Sequence, residues 1–312
     1  MGCGSKVLGV LKVRGLLMVL GGLTVQGQPP AAPAVAPPPD TEIFLAPLTP
    51  GATPPVGRPV NITNSPGYDN QPSFTLDGSA ILFTSIRGGT QTDIYRYDIA
   101  SAATSRVTVT PESEYSPTVT PDGAHISVIR VEADGTQRLW RFTLDGRSPE
   151  LVLTDVKPVG YHAWTDDHTL VLFVLGSPAT LQVADTRTGK ADTVVRGINR
   201  SIQRIPGGGT VSFVQRLPAD PSGAVPVLKI SELDPKSHNV TPLVNAPAGA
   251  READCAWTPD GMLMMVDQDV LYGWKRGEGE WRRIADLAAL GLHGVTRIAI
   301  SPKGDRIAFV TQ

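Results

Sequence analysis

The chain has 312 residues, with 28 Lys and Arg against 30 Asp and Glu and a formal net charge of −2. A near-neutral balance without a clustered basic face excludes a nucleic-acid footprint. Aromatic residues are sparse at 6%, whereas Gly (32) and Pro (28) are abundant, which suits many short strands joined by turns rather than long helices.

Residues 1–27 read as a signal peptide. Lys6, Lys12 and Arg14 give a basic start, Gly15 to Val25 a short apolar run, and Val25-Gln26-Gly27 small residues for cleavage. The run falls short of the roughly 20 apolar residues that span a bilayer, so no membrane span is expected after cleavage. Cys3 lies in this leader, which leaves the mature chain one thiol, Cys255, and no intramolecular disulfide. Cys255 sits on an expected inner strand, where a small buried filler is the reading. Residues 28–40, Gln-Pro-Pro-Ala-Ala-Pro-Ala-Val-Ala-Pro-Pro-Pro-Asp, form an extended Pro/Ala spacer with no means of burying a core.

Thr41 to Pro47 and Pro59 to Thr63 each read as a strand. The first full repeat follows: Gln71-Pro72-Ser73-Phe74-Thr75-Leu76-Asp77-Gly78, then Ser79 to Ser85. Asp-Gly between two apolar runs signals a hairpin, with a primed turn expected at Asp77-Gly78. The unit returns at Ser116 to Gly123, Ala163 to His168, Gln203 to Gly208, Cys255 to Gly261 and Ile298 to Gly304, worn in the third and fourth copies. The corresponding turn position falls at 78, 123, 168, 208, 261 and 304. A period of about 40–50 residues is that of a four-stranded propeller blade. Third strands follow as alternating runs, clearest in Asp93 to Asp98, then at Arg138–Phe142, Leu181–Asp185, Leu228–Glu232 and Val270–Trp274. Outer strands are short and polar: Ser105–Val109, Glu150–Thr154, Asp192–Val195, Asn239–Leu243 and Trp281–Ala285.

Two strands precede the first repeat, and the last copy ends after its second strand. The fold expected is therefore all-β: a six-bladed β-propeller over residues 41–312, of four-stranded antiparallel blades, its ring closed by N-terminal strands 41–63 beside 296–310. Closure removes the unpaired edges that template aggregation.

The segment Pro72 to Gly78, with Ile81 to Ser85, Arg87-Gly88-Gly89 and Asp93-Ile94-Tyr95, resembles the WD-like repeat of TolB-like β-propellers. Thr258-Pro259-Asp260-Gly261 and Ser301-Pro302-Lys303-Gly304 echo its turn. The likeness covers residues 60–130 and 250–312 well and 160–245 poorly. It implies a propeller fold. The same repeat also occurs in peptidase and sugar-lyase propellers, so the resemblance leaves the function open.

Residues that carry chemistry are few. No Gly-x-Ser-x-Gly elbow, His-Glu-x-x-His, Cys-x-x-Cys or phosphate loop is present. His162 and His168 share a strand about 20 Å apart, too far for one metal. Asp77, Asp122, Asp167 and Asp260 recur with the turns and read as turn-stabilising. No cofactor or metal is expected.

One constellation remains, the starting residues of the inner strands, which a propeller gathers at one mouth of its channel. The candidate ligand-binding residues are Gln71, Tyr115, Tyr161, His162, Arg200, Asp254 and Arg297, beside Asn70, Ser116 and Ser201. A polar rim of mixed charge with two tyrosines suits a protein, peptide or polar ligand. The reading is an exported monomeric scaffold, periplasmic or extracellular. The alternative is a carbohydrate-active or other hydrolase or lyase in the same channel, with His162 as base beside Arg200 or Arg297.

Overall fold

Two strands open the described chain, β1 (Glu42–Pro47) and β2 (Val60–Asn61). Blade one follows as β3 (Asp69–Phe74), β4 (Ala80–Ser85), β5 (Asp93–Asp98) and β6 (Ala103–Arg106). Blade two is β7 (Ser113–Val119), β8 (His125–Val131), β9 (Gln137–Thr143) and β10 (Glu150–Leu151). Blade three is β11 (Val159–Trp164), β12 (Thr169–Val174), β13 (Thr180–Asp185) and β14 (Lys190–Arg196). Blade four is β15 (Ile198–Arg204), β16 (Val211–Arg216), β17 (Leu228–Leu233) and β18 (Val240–Asn245). Blade five is β19 (Asp254–Trp257), β20 (Met262–Asp267), β21 (Val270–Lys275) and β22 (Arg282–Asp286), and β23 (Arg297–Ile300) and β24 (Arg306–Thr311) end the chain. The computed structural model describes residues 1–2, 38–49, 51–53, 55–217 and 227–312. The expected signal peptide beyond Gly2 and the spacer through Pro37 lie outside them.

The strands form six four-stranded antiparallel sheets, a six-bladed propeller. The sixth sheet has the order β2-β1-β24-β23, with Glu42 opposite Thr311 and Pro47 opposite Arg306. The N-terminal strands thus close the ring as the strand count requires. The closing seam is apolar: Ile43, Ala308 and Val310 pack against Phe74, Ile81 and Phe83 of blade one.

Every seam between neighbouring blades holds one such cluster, six in all. This explains why second strands read as continuous apolar runs. β4 is buried at all six positions, because both faces of a blade meet a neighbour. The fourth strands face solvent, and β6 (Ala-Thr-Ser-Arg) is exposed throughout. Tryptophans bridge two seams: Trp164 Nε1 donates to Ser127 Oγ at 2.9 Å and Trp257 Nε1 to Ser212 Oγ at 2.8 Å.

Four local expectations are corrected. The repeat hairpin carries no primed turn. The Gly78 N–H donates to Thr75 O at 2.9 Å, and Thr75 N pairs with Ala80 O. Positive φ falls on Gly78 (+70°), after the two central residues, so Leu76-Asp77 is an ordinary turn followed by a left-handed glycine. In the fourth copy that glycine is Gly207 rather than Gly208. In the third, Asp166 rather than Asp167 holds the turn, accepting from His168 N and Thr169 N. The fourth strand of blade one ends at Arg106, because the N–H of Val107 and of Thr108 both turn back to Ile94 O. The turn aspartates otherwise act locally: Asp77 accepts from Thr75 Oγ1 and Ser79 N, and Asp122 from Thr120 Oγ1 and Ala124 N.

Candidate functional site

The inner strands β3, β7, β11, β15, β19 and β23 run side by side around a central cavity of about 510 Å³. Each begins at one end of the channel and finishes at the repeated turn. In blades one to four the pairing register slips near the start of this strand, between Asn70 and Ser73, Tyr115 and Thr118, Val159 and Tyr161, and Ile198 and Ile202. Bulges re-aim side chains where regular pleating would alternate them. Gln71 and Ser116 consequently adopt positive φ (57° and 52°). Gln71 Oε1 then accepts from Thr84 Oγ1 at 2.9 Å and from Ser116 N of blade two at 2.8 Å.

Six of the seven candidate residues, Gln71, Tyr161, His162, Arg200, Asp254 and Arg297, line this cavity. Tyr115 is not among the lining residues. It leans on the apolar cluster between blades two and three, and the bulge beside it turns Ser116 to the channel instead.

The polar rim is not an open ring. Arg297 of blade six reaches the opposite blade, where its Nη2 donates to the Tyr161 hydroxyl at 2.8 Å. Its guanidinium carbon lies 5.2 Å from the Tyr161 ring centroid, within cation–π range. Tyr161 is itself braced edge-on by Phe173. Arg200 of blade four extends past blade five, and its Nη2 donates to Thr296 O at 3.3 Å. These side chains cross the channel and floor it at the strand-start end.

Asp254 completes the floor. Its Oδ2 accepts from Ile298 N at 2.9 Å, joining blades five and six. Burial raises its pKa, against the opposing pull of Arg297. Enclosure pulls the pKa of Arg297 down, but Tyr161 and Asp254 raise it by more, so the guanidinium stays charged. Tyr68, just before β3, belongs to the same group. Burial pushes its pKa up to about 12, and Arg297, Tyr161, Tyr115 and Arg200 all act on it. Sequence reading missed Tyr68 because it precedes the repeat unit; the aromatic one residue ahead of Asp69 was the available signal.

His162 stands apart from the arginines. Its Nε2 lies 2.7 Å from Ser127 Oγ, the same oxygen that Trp164 contacts. It is 8% exposed, its Nδ1 has no partner, and burial lowers its pKa to about 4. The imidazole is therefore neutral near pH 7 and has no carboxylate to orient it. Among the described residues no hydrogen bond joins His162 to Arg200 or Arg297, the neighbours that the catalytic alternative would use. Cys255 is buried, as a filler would be. Among the described residues no cluster of three His, Cys, Asp or Glu side chains could hold a metal ion. No helix among them is long and apolar enough to cross a membrane.

Residues 55–204 match the family model described as the TolB beta propeller domain. The fold is similar to that of a putative TolB from Agrobacterium tumefaciens, at 16% identity and TM-score 0.66 over 87% of this chain and 98% of that one. It is similar to an oligogalacturonate lyase solved with manganese, at 15% identity and TM-score 0.57 over 81% and 79% of the two chains. TolB from Acinetobacter baumannii gives 16% identity and TM-score 0.55 over 88% of this chain and 65% of that one. No curated protein matches the sequence.

Proposed function

Since this chain is a TolB-like β-propeller, we propose that it is an exported, non-catalytic scaffold that binds a protein, peptide or polar ligand through its channel. The observation that carries this reading is the floor built by Arg297, Tyr161 and Arg200. Blades six, three and four each send a long polar side chain into the channel, where Arg297 meets Tyr161 and Arg200 meets Thr296 O. Such convergence does nothing for the seams that hold the blades together. It gives a concave site with a few placed polar groups.

What favours binding over a hydrolase or lyase in the same channel is the state of His162. A general base needs a proton to take and a group to orient it. His162 is committed to Ser127, and that serine is held by Trp164. Export rests on the basic start and apolar run of residues 1–27.

Two experiments test the reading. Affinity capture from native extract, with the full chain as bait, should retain a partner that the Tyr161→Ala/Arg297→Ala double variant loses. Equal capture by both would remove the channel as the site. N-terminal sequencing of the exported protein should begin at Gln28, and a retained Met1 would overturn cleavage.

A further inference from the structure

The floor of the channel holds more positive charge than it neutralises. Arg297 makes one hydrogen bond, to Tyr161, and Arg200 one through its guanidinium, to Thr296 O. A guanidinium has five N–H donors. Among the described residues no carboxylate oxygen comes within 4.0 Å of either. Asp254, the nearest acid in the floor, has Oδ2 occupied by the Ile298 amide. Two guanidinium groups against one carboxylate leave a surplus of one positive charge in an enclosed, partly dry space. Burying an unpaired charge is costly, and a single anionic group would complete the arrangement.

The opposite end of the channel carries an apolar collar, with the exposed Arg204 as the charged residue lining the cavity there. Leu76, Pro121, Pro206, Pro259 and Pro302 occupy equivalent turn positions in five blades and line the cavity there. The collar is fixed by contact with the next blade. A Cβ added at Gly304 would lie 3.0 Å from Pro259, one at Gly78 3.5 Å from Pro302, and one at Gly123 3.7 Å from Leu76. Leu76 is 53% exposed. Pro302 lies five positions after Arg297, roughly 16 Å at strand rise.

We infer that the channel takes a small organic monocarboxylate with an apolar body, which enters past the proline collar. Its carboxylate meets the free N–H groups of Arg297 and Arg200, and its body lies against the collar. The inference rests on the reading of the channel as a binding site, and narrows it to one charge and one polarity. A guanidinium matches the planar, two-oxygen carboxylate through paired N–H donors. A phosphate dianion would overshoot the surplus beside Asp254.

Titration calorimetry on the full chain tests this with hexanoate, its uncharged counterpart hexanamide, acetate and inorganic phosphate. The expected result is saturable hexanoate binding at one site. Hexanamide, acetate and phosphate should each bind at least tenfold more weakly. Arg297→Gln and Arg200→Gln should each weaken hexanoate at least tenfold with unchanged circular dichroism, and Arg297→Lys should retain part of the affinity. Equal binding of hexanoate and hexanamide, tighter binding of phosphate, or full affinity in Arg297→Gln would overturn the inference. If the wild type binds no carboxylate while the Tyr161→Ala/Arg297→Ala variant still loses its captured partner, the ligand class is wrong and the channel reading stands. If neither responds, both fall.

Discussion

The two ends of each inner strand differ in how closely the blades copy one another. At the turn end, Thr75, Thr120, Thr258 and Ser301 each use a hydroxyl to hold the strand after the turn, and Asp77, Asp122 and Asp260 accept from the threonine beside them. At the start end, the equivalent stations carry Gln71, Ser116, Tyr161, Arg200, Asp254 and Arg297, with only arginine occurring twice. Repetition marks what every blade needs to fold. Divergence marks where one blade does something for the whole ring. The turn end should therefore answer to stability and the start end to binding.

The largest effect expected among the turns is at Gly146, in the outer Asp-Gly turn of blade two. Its φ is +77°, and a Cβ there would lie 1.9 Å from Val107 O of blade one. Gly146→Ala should cost at least ~3 kcal/mol in urea unfolding. A loss under ~1 kcal/mol would show that the seam between blades one and two is slack.

A second effect is pH-dependent and involves two buried groups of the inner strands, Glu114 and His162. Burial raises the Glu114 carboxyl to about 7, against hydrogen bonds from Thr110 and Thr108. The fold thus favours its protonated form, and the stability it contributes below pH 4.5 is lost as pH rises through 7. Burial lowers His162 to about 4. The fold favours its neutral form, and its contribution, present above pH 6.5, is lost as pH falls through 4. Each is worth up to ~3 kcal/mol, and over this window they oppose each other. Wild-type stability should vary little between pH 4.5 and 7, whereas Glu114→Gln should lose stability steadily on acidification. Parallel curves for the two proteins would contradict the assignment.

Smaller effects separate the ends directly. Thr258→Val removes the hydroxyl that accepts from Met262 N at 2.9 Å and donates to Asp260. It should cost about 1–2 kcal/mol and leave hexanoate affinity unchanged. Tyr161→Phe removes only the acceptor for Arg297. It should change stability by less than ~1 kcal/mol and lower hexanoate affinity severalfold. Reversed outcomes for this pair would dissolve the comparison.

The ring was legible in the sequence because blades repeat and because strands must pair. Thr41 to Thr63 had no partner among its neighbours, and only β24 offered an edge. The turn class was not legible. Asp-Gly allows both a primed turn and an ordinary turn followed by a left-handed glycine, and four loop residues between Thr75 and Ala80 decide for the second. In blade three the holding aspartate is Asp166, the first loop residue, whereas blade five, with a turn of the same length, uses the second, Asp260. The start end was legible as a set of stations but not as a structure. Pleat alternation would have Tyr115 and Ser116 exchange faces, and the bulge that decides between them has no sequence marker. The Arg297–Tyr161 bond joins residues 136 positions apart. No local pattern records it, because it depends on which blades face each other across the axis.

The central claim is that the side chains crossing the channel, Arg297, Arg200 and Tyr161, serve recognition and not folding. Urea unfolding of ligand-free Arg297→Gln at neutral pH tests it most directly. A charge enclosed without a carboxylate partner contributes little to stability, and its removal can raise it. Stability should stay within ~0.5 kcal/mol of wild type or rise. A loss of more than ~2 kcal/mol would make Arg297 a structural strut and contradict the account.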